Sequence, residues 1–168
     1  AALLTPQGKY LHDFFITEAD DVLYLDCERE RSADLMRRLM MYKLRADVMI
    51  TDKSNDFAII AHDAPPSSKA ISYPDPRHPA MGYREIIPSE EASAINSDMT
   101  AYDILRLSLG LPDGSRDFDI DKTLILEANM EELNAVDFNK GCYVGQEVTA
   151  RMKHRSTLKK RMLPVIVR

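Results

Sequence analysis

The chain has 168 residues, 45% of them hydrophobic and 29% charged, which is enough apolar material for one ordinary domain or two small ones. No apolar run is long enough to make a bilayer-spanning helix and no basic, hydrophobic leader opens the chain, so the composition reads as a soluble protein with no membrane partner. Two cysteines, Cys27 and Cys142, show no metal-ligand spacing, and beside nine methionines they argue against a disulfide scaffold. The net charge of −5 is unevenly spread: Lys140 to Arg161 holds seven Lys or Arg against Glu147 alone, about +6, which leaves about −11 for the remainder. Such a basic cluster suits an anionic ligand, RNA or an acidic partner, and is also what a solvated helix face looks like.

Pro6-Gln7-Gly8 is a turn signal between Ala2–Thr5 and Lys9–Thr17, which predicts an opening β-hairpin. Both faces of its second strand are rich in apolar groups, so that strand is expected to be central and covered. Val22–Cys27 reads as a third strand. Ser32 is placed to cap a helix whose buried stripe is Leu35, Met36, Leu39, Met40 and Leu44. Asp47–Thr51 and Phe57–His62 read as further strands around the polar turn Asp52–Asp56. Pro and Ser concentrate between Ala64 and Pro79, and Gly82–Ile87 reads as a strand re-entering the sheet. Thr100 to Leu109 is a helix with Tyr102, Leu105 and Leu109 on one side, ended by Gly110 and Pro112. Leu111 to Asp137 is mostly loop with a helical turn near Asn129–Leu133, followed by a helix over Gln146 to Arg155 and a last strand, Arg161–Val167. The organisation is a hairpin plus βαββ unit over 1–63, a connection over 64–81 and a second α+β unit over 82–168.

The run Phe138-Asn139-Lys140-Gly141-Cys142-Tyr143-Val144-Gly145-Gln146-Glu147 sets Cys142 between two glycines and beside a lysine, just ahead of that last helix. Positive potential from a helix N-terminus and an ammonium group favours a thiolate, while a buried cysteine in a tight turn is the competing reading. Gly141 and Gly145 permit positive φ or close backbone approach. His154, the nearest histidine in sequence, belongs to the positive cluster or to plain surface. An iron–sulfur cluster usually takes about four ligands, so one thiolate can only share a cluster with a partner.

Lys140 to Glu147, continued by Val148-Thr149-Ala150-Arg151, closely resembles the signature of the YgfZ family, folate-binding proteins related to the aminomethyltransferase (T protein) of the glycine cleavage system. Leu4-Thr5-Pro6-Gln7-Gly8-Lys9, Tyr42-Lys43-Leu44-Arg45-Ala46, Asp75-Pro76-Arg77 and Leu158-Lys159-Lys160-Arg161 are similar to it as well, so the resemblance spans nearly the whole chain. It implies an α+β, T-protein-like fold of antiparallel sheets with helices packed on one face. It also implies an N-terminal segment and a C-terminal β-barrel beyond this chain, which would make the chain a fragment. The implied function is accessory: support of iron–sulfur cluster assembly or repair, with carrier or client proteins as partners. The implied location is the cytoplasm of a bacterium or the mitochondrial matrix of a eukaryote.

The resemblance further implies tetrahydrofolate or another reduced folate as ligand, near Lys140, Gly141, Tyr143, Gly145, Gln146, Glu147 and Arg151, with Cys142 as functional thiolate and shared cluster ligand. A pterin presents an exocyclic amine beside a ring N–H, a pair that one carboxylate accepts. The transferases carry that Glu in a segment similar to Leu105-Arg106-Leu107-Ser108-Leu109-Gly110, where this chain has Ser108; Glu127 is the available substitute, and Arg106 and Arg151 can face a folate glutamate tail. The transferases' paired acids correspond to His12-Asp13, leaving Asp13 as catalytic acid or structural carboxylate. Two alternatives stand beside the accessory role: a tetrahydrofolate-dependent aminomethyltransferase-like enzyme, disfavoured by Ser108 and the lost acid, and an RNA or tRNA-modification module working through Lys140–Arg161. Tyr143 is the single aromatic of that segment, so RNA is expected at most indirectly.

Overall fold

Pro6 and Gly8 turn the chain back on itself: the Gly8 amide donates to the Thr5 carbonyl (2.9 Å), and the Thr5 hydroxyl accepts from the Gln7 and Lys9 amides (both 3.2 Å). In the computed structural model, which describes residues 1–65, 71–95, 98–155, 158 and 160–167, this turn joins β1 (Ala2–Leu4) to β2 (Tyr10–Ala19). Asp20 and Asp21 both take positive φ (51° and 60°), a tight hairpin geometry that short polar side chains tolerate, and lead into β3 (Val22–Cys27). The first sheet runs β1-β2-β3, antiparallel, with the long strand in the middle as expected.

After a 3₁₀ turn at Arg29–Arg31 comes α1 (Ser32–Lys43). Strands β4 (Phe57–His62), β5 (Ile71–Pro74) and β6 (Tyr83–Pro88) make a second antiparallel sheet in the order β4-β6-β5. Then follow α2 (Ser89–Ala92), α3 (Met99–Ser108), α4 (Gly114–Asp117) and α5 (Gln146–Arg155). The protein is α+β, with two small antiparallel sheets and a few helices.

Strand alternation decides what the sheets share. Phe15, Tyr24 and Asp26 stand on one face of the β2–β3 ribbon, where Phe15 meets Tyr73 (6.4 Å between rings) and Tyr24 meets Phe57 (6.3 Å). Asp26, almost fully buried, accepts from Arg84 Nε (2.7 Å) and from the Tyr73 hydroxyl (3.0 Å). Arg84 and Arg77 both lie over the Phe15 ring, at 4.2 and 5.0 Å from its centroid. Arg77 also grips Asp75 with two nitrogens and reaches the Tyr102 hydroxyl of α3 (2.9 Å), so Asp75-Pro76-Arg77 joins a sheet to a helix as well as fixing a turn. The opposite face of the ribbon leaves Ile16, Leu23 and Leu25 exposed.

A separate core forms where the first hairpin closes on the 118–130 segment. Leu4, Tyr10, Phe118, Ile125, Leu126 and Met130 are buried together, with Tyr10 set edge-on to Phe118 at 4.9 Å. The Tyr10 amide donates to the Thr123 carbonyl, and Lys9 bridges Leu124. Phe138 and Tyr143 pack against this core from the cysteine loop.

Several expectations are corrected. Asp47–Thr51 forms no strand: β4 pairs with β6, no strand among the described residues pairs with this segment, and Val48 and Met49 stay exposed. Arg161–Val167 is not a strand either: the Met162 amide bonds the Glu127 carbonyl (3.0 Å), Asn129 bonds the Met162 carbonyl (2.7 Å), and Leu163 to Val167 are exposed. Ser32 starts α1 without capping it, its hydroxyl donating instead to Asp52 (3.3 Å). On α1, Leu35 is buried but Met40 and Leu44 are exposed. On α3 (Met99–Ser108) the buried side chain is Arg106, while Tyr102 is half-buried and Leu105 is exposed. A short strand, β5, occupies part of the stretch read as loop.

Removing the shared acceptor between the sheets with Asp26→Ala leaves the buried Arg84 with only the more distant Asp75 carboxylate (3.9 Å), which is expected to cost about 3 kcal/mol in urea unfolding. An Asp26→Ala variant within about 0.5 kcal/mol of the parent would show that this ion pair does not hold the sheets together.

Candidate functional site

The 137–145 segment leaves the core as an irregular loop and ends on α5. Phe138 and Tyr143 anchor it, and between them Lys140, Gly141 and Cys142 are exposed. Lys140 Nζ stands 5.1 Å from the Tyr143 ring centroid, so an ammonium group is held against the loop. The Tyr143 hydroxyl is buried with no hydrogen-bond partner among the described residues; burial, then the Asp137 charge, push its pKa up. The reading of Cys142 as a buried turn residue is overturned, since its side chain lies at the surface. Cys27 is the enclosed cysteine: burial, reinforced by Asp26 and Asp52, pushes its thiol up to about 11.

Gly145 fixes the loop. Its φ is +85°, and a Cβ there would stand 2.6 Å from the Thr5 carbonyl oxygen and 3.0 Å from Gly8 Cα, so two backbones touch where no side chain fits. From the other side, a Cβ on Gly8 (φ +73°) would meet Thr149 Oγ1 at 3.0 Å. Thr149 is buried, and its hydroxyl donates to the Gly145 carbonyl (2.9 Å). Gln146 closes the helix start, its Oε1 accepting from the Tyr143 amide (3.3 Å) while its own amide donates to the Tyr143 carbonyl (3.2 Å). The fold thus brings the Leu4–Lys9 turn and the Lys140–Glu147 run together from opposite ends of the chain. Gly141 has no positive φ, and a Cβ there would meet no atom of the described residues within 4 Å.

Glu147 and Arg151 are exposed on α5, and Lys153 pairs with Glu131 (2.6 Å). Lys159 lies outside the described residues. His154 is exposed and sets its ring edge-on to Phe138 (6.0 Å), beside a cleft of about 370 Å³ lined by Asn134, Asp137, Phe138, Lys153 and His154 among others.

Arg106, Asp13 and Glu127 lie elsewhere. Arg106 points inward, donating to Asp103 and Asp117 (both 2.6 Å) and to the Leu111 carbonyl (3.2 Å). It sits at a Schellman end, in which Gly110 and Leu111 amides bond the Leu107 and Arg106 carbonyls. Ser108 spends its hydroxyl on the Leu105 carbonyl (2.7 Å). Glu127, half-buried, borders a cleft of about 490 Å³ with Ser115, Arg116, Thr123, Lys160 and Arg161. Arg116 is tied to Asp103 and Asp113, and Arg161 to Glu132.

Asp13 belongs to a polar cluster. Burial pushes its carboxyl pKa up against the hydrogen bond from the Tyr10 hydroxyl (2.7 Å). Gly114 leaves room at the centre: a Cβ there would stand 3.2 Å from Asp13 Oδ1, 3.4 Å from Glu28 Oε2 and 3.5 Å from the Tyr10 hydroxyl. Glu28 Oε1 accepts from Ser115 (2.6 Å), while Oε2 is buried without a hydrogen bond among the described residues and faces Arg31 at 3.8 Å. Tyr10, Glu28 and Ser115 were not among the candidate site residues of the sequence, because their meeting depends on the tertiary fold. His12 is buried and bonded to Asp34 (2.8 Å). Among the described residues, no three His, Cys, Asp or Glu side chains stand together as a metal site.

No family model matches the chain. It is similar to proteins named "Iron-sulfur cluster assembly factor IBA57 homolog, mitochondrial". With that of Mycosarcoma maydis it shares 34% identity over 181 residues, covering 98% of this chain and 45% of the relative. With that of Neurospora crassa it shares 31% over 192 residues, covering 98% and 44%. With that of Yarrowia lipolytica it shares 42% over 95 residues, covering 54% and 20%. The chain spans a little under half the length of the first two relatives. No helix among the described residues is long and apolar enough to cross a membrane.

Two tests follow from the loop geometry. Gly145→Ala, with a positive φ and the Thr5 carbonyl in its way, is expected to cost about 2–4 kcal/mol in urea unfolding, whereas Gly141→Ala should stay within about 0.5 kcal/mol. With its pKa near 11, Cys27 holds only about one thiolate in a thousand at pH 8. Iodoacetamide should therefore label Cys142 first, and Cys27 labelling should climb about tenfold per pH unit until pH approaches 11. Equal labelling of both cysteines at pH 8 contradicts the assignment.

Proposed function

We propose that this chain belongs to a YgfZ-like, T-protein-like accessory factor that supports iron–sulfur cluster assembly or repair, acting through Cys142. The observation that carries the reading is the presentation of the thiol: exposed, on a loop locked by the Gly145–Thr5 backbone contact, in a chain similar to proteins named as iron–sulfur assembly factors. A thiolate binds iron, and binding releases the thiol proton. Cys142 supplies one ligand, and a carrier or client protein supplies the others. The cluster is cargo passed between proteins. The relatives' names point to mitochondria as the place of work, the matrix in this reading.

A reduced folate is the proposed small ligand, and the cleft beside Glu127 is where the donor set fits it best. Its volume, about 490 Å³, lies within the range of small-molecule sites. Glu127 supplies the carboxylate that a pterin edge requires, and Lys160 is a cation for a glutamate tail. Arg106 does not serve there, because its donors are spent on Asp103, Asp117 and Leu111. The aminomethyl-transfer alternative gains no support at Ser108, whose hydroxyl is satisfied by its own helix.

In cells dependent on the full-length protein, Cys142→Ala is expected to abolish activity of iron–sulfur enzymes at normal protein abundance, and Cys27→Ala to be tolerated. Full activity with Cys142→Ala sinks the proposal. For the ligand, calorimetry with tetrahydrofolate should show binding by the full-length protein that Glu127→Ala weakens at least tenfold, about 1.4 kcal/mol. Unchanged affinity in that variant removes Glu127 from the site.

A further inference from the structure

The charged groups around the Glu127 cleft are unequally committed. Arg116, on its wall, is held through three contacts, two to Asp103 (3.1 and 2.6 Å) and one to Asp113 (2.7 Å). Asp117, also on the wall, is spent on Arg106 (2.6 Å). Arg161 is bound to one carboxylate, that of Glu132 (2.5 Å), and the two side chains of that pair are 48% and 46% exposed. Glu132 is not among the residues that line the cleft, whereas Arg161 is. Lys160, Glu127 and Asp119 line it too, and none of them meets an opposite charge within ion-pair distance among the described residues. The backbone fixes this wall: the Met162 amide donates to the Glu127 carbonyl (3.0 Å) and Asn129 donates to the Met162 carbonyl (2.7 Å). Arg161 therefore stays at the cleft whichever partner its side chain holds.

We infer that Glu132 is a built-in competitor at this cleft: it holds Arg161 until the carboxylate or phosphate of a small molecule displaces it. Lys160 and Arg161 then take the anionic end, while Glu127 accepts from a donor edge at the other end of the molecule. This rests on the reading of the Glu127 cleft as the small-molecule site and names the residue that sets its selectivity for the anionic group. The exchange costs little, because an ion pair between two half-exposed side chains is weakened by water and by side-chain entropy. A guanidinium bonded to an incoming anion regains a charge-assisted contact. Arg116 makes no such exchange, since leaving its place gives up two carboxylates at once. Affinity for an anionic ligand is lowered by the fraction of molecules in which Glu132 keeps Arg161.

Calorimetry on the full-length protein tests this with three probes. Tetrahydrofolate carries both ends, tetrahydropterin only the donor edge, and inorganic pyrophosphate only the anion. Glu132→Gln is expected to tighten tetrahydrofolate and pyrophosphate about threefold to fivefold and to leave tetrahydropterin unchanged. Arg161→Gln should weaken the same two probes, and adding Glu132→Gln to it should then change nothing. The gain should shrink at about 0.5 M salt. Unchanged affinities in Glu132→Gln, an equal gain for tetrahydropterin, or a gain that survives in Arg161→Gln overturns the inference. If pyrophosphate shows the gain while tetrahydrofolate does not bind, the folate reading falls and the competitor stands. If tetrahydrofolate binds through Glu127 but ignores Glu132→Gln, the competitor falls and the folate reading stands. Binding of none of the three probes overturns both.

Discussion

The cysteine loop depends on a contact between two backbones. Gly145 packs against the carbonyl of Thr5 and the α-carbon of Gly8 at distances that leave no space for a methyl group. Everything exposed on the loop is referenced to that contact. Thr149 locks the Gly145 carbonyl from inside α5, Gln146 ties the Tyr143 amide, and Tyr143 in turn supports the ring face on which Lys140 rests. A surface thiol on a free loop samples many positions. Here the exposed Cys142 is three residues from a fixed point, which limits where the thiol can go.

The turn that receives Gly145 is itself fixed by the first sheet and its core. Tyr10 is fully buried against Phe118, and burial together with the Asp13 charge and hydrogen bond pushes its phenol pKa well above the usual range, so it stays a neutral donor. The same strand carries Phe15 to the joint between sheets, where Asp26, Arg84 and Tyr73 meet. One strand, β2, therefore connects the loop's foundation to the second sheet and, through Arg77 and Tyr102, to α3.

Much of this was legible in the sequence wherever local chemistry decided the outcome. Pro6-Gly8, the strand Val22–Cys27, the Gly110 helix end and the span of α5 follow from turn residues, alternation and capping. Strands depend on partners that local pattern does not name. Val48 and Met49 have strand-like chemistry and no strand partner among the described residues, and Ile71–Pro74 has little pattern and finds one in β6. Spacing showed Tyr102, Leu105 and Leu109 on one side of α3 but not that Arg106 is buried, because that burial depends on Asp103 and Asp117 satisfying its donors. At the site, the cysteine run showed Cys142, Lys140 and Gly145, but the reason Gly145 must be glycine lies in Thr5 and Gly8, at the other end of the chain. The cluster of Tyr10, Asp13, Glu28 and Ser115 left no trace in spacing, since three separate segments build it.

The central claim is that Cys142 holds a cluster only together with a partner's ligands. Its most direct test is anaerobic reconstitution of the full-length protein with iron and sulfide, with and without an iron–sulfur carrier protein, followed by visible absorption and circular dichroism. The account predicts a cluster spectrum distinct from that of the carrier alone, present when both proteins are mixed and absent when Cys142→Ala replaces the parent. A stable cluster on the protein without any carrier, or a mixed spectrum indifferent to Cys142→Ala, would contradict it.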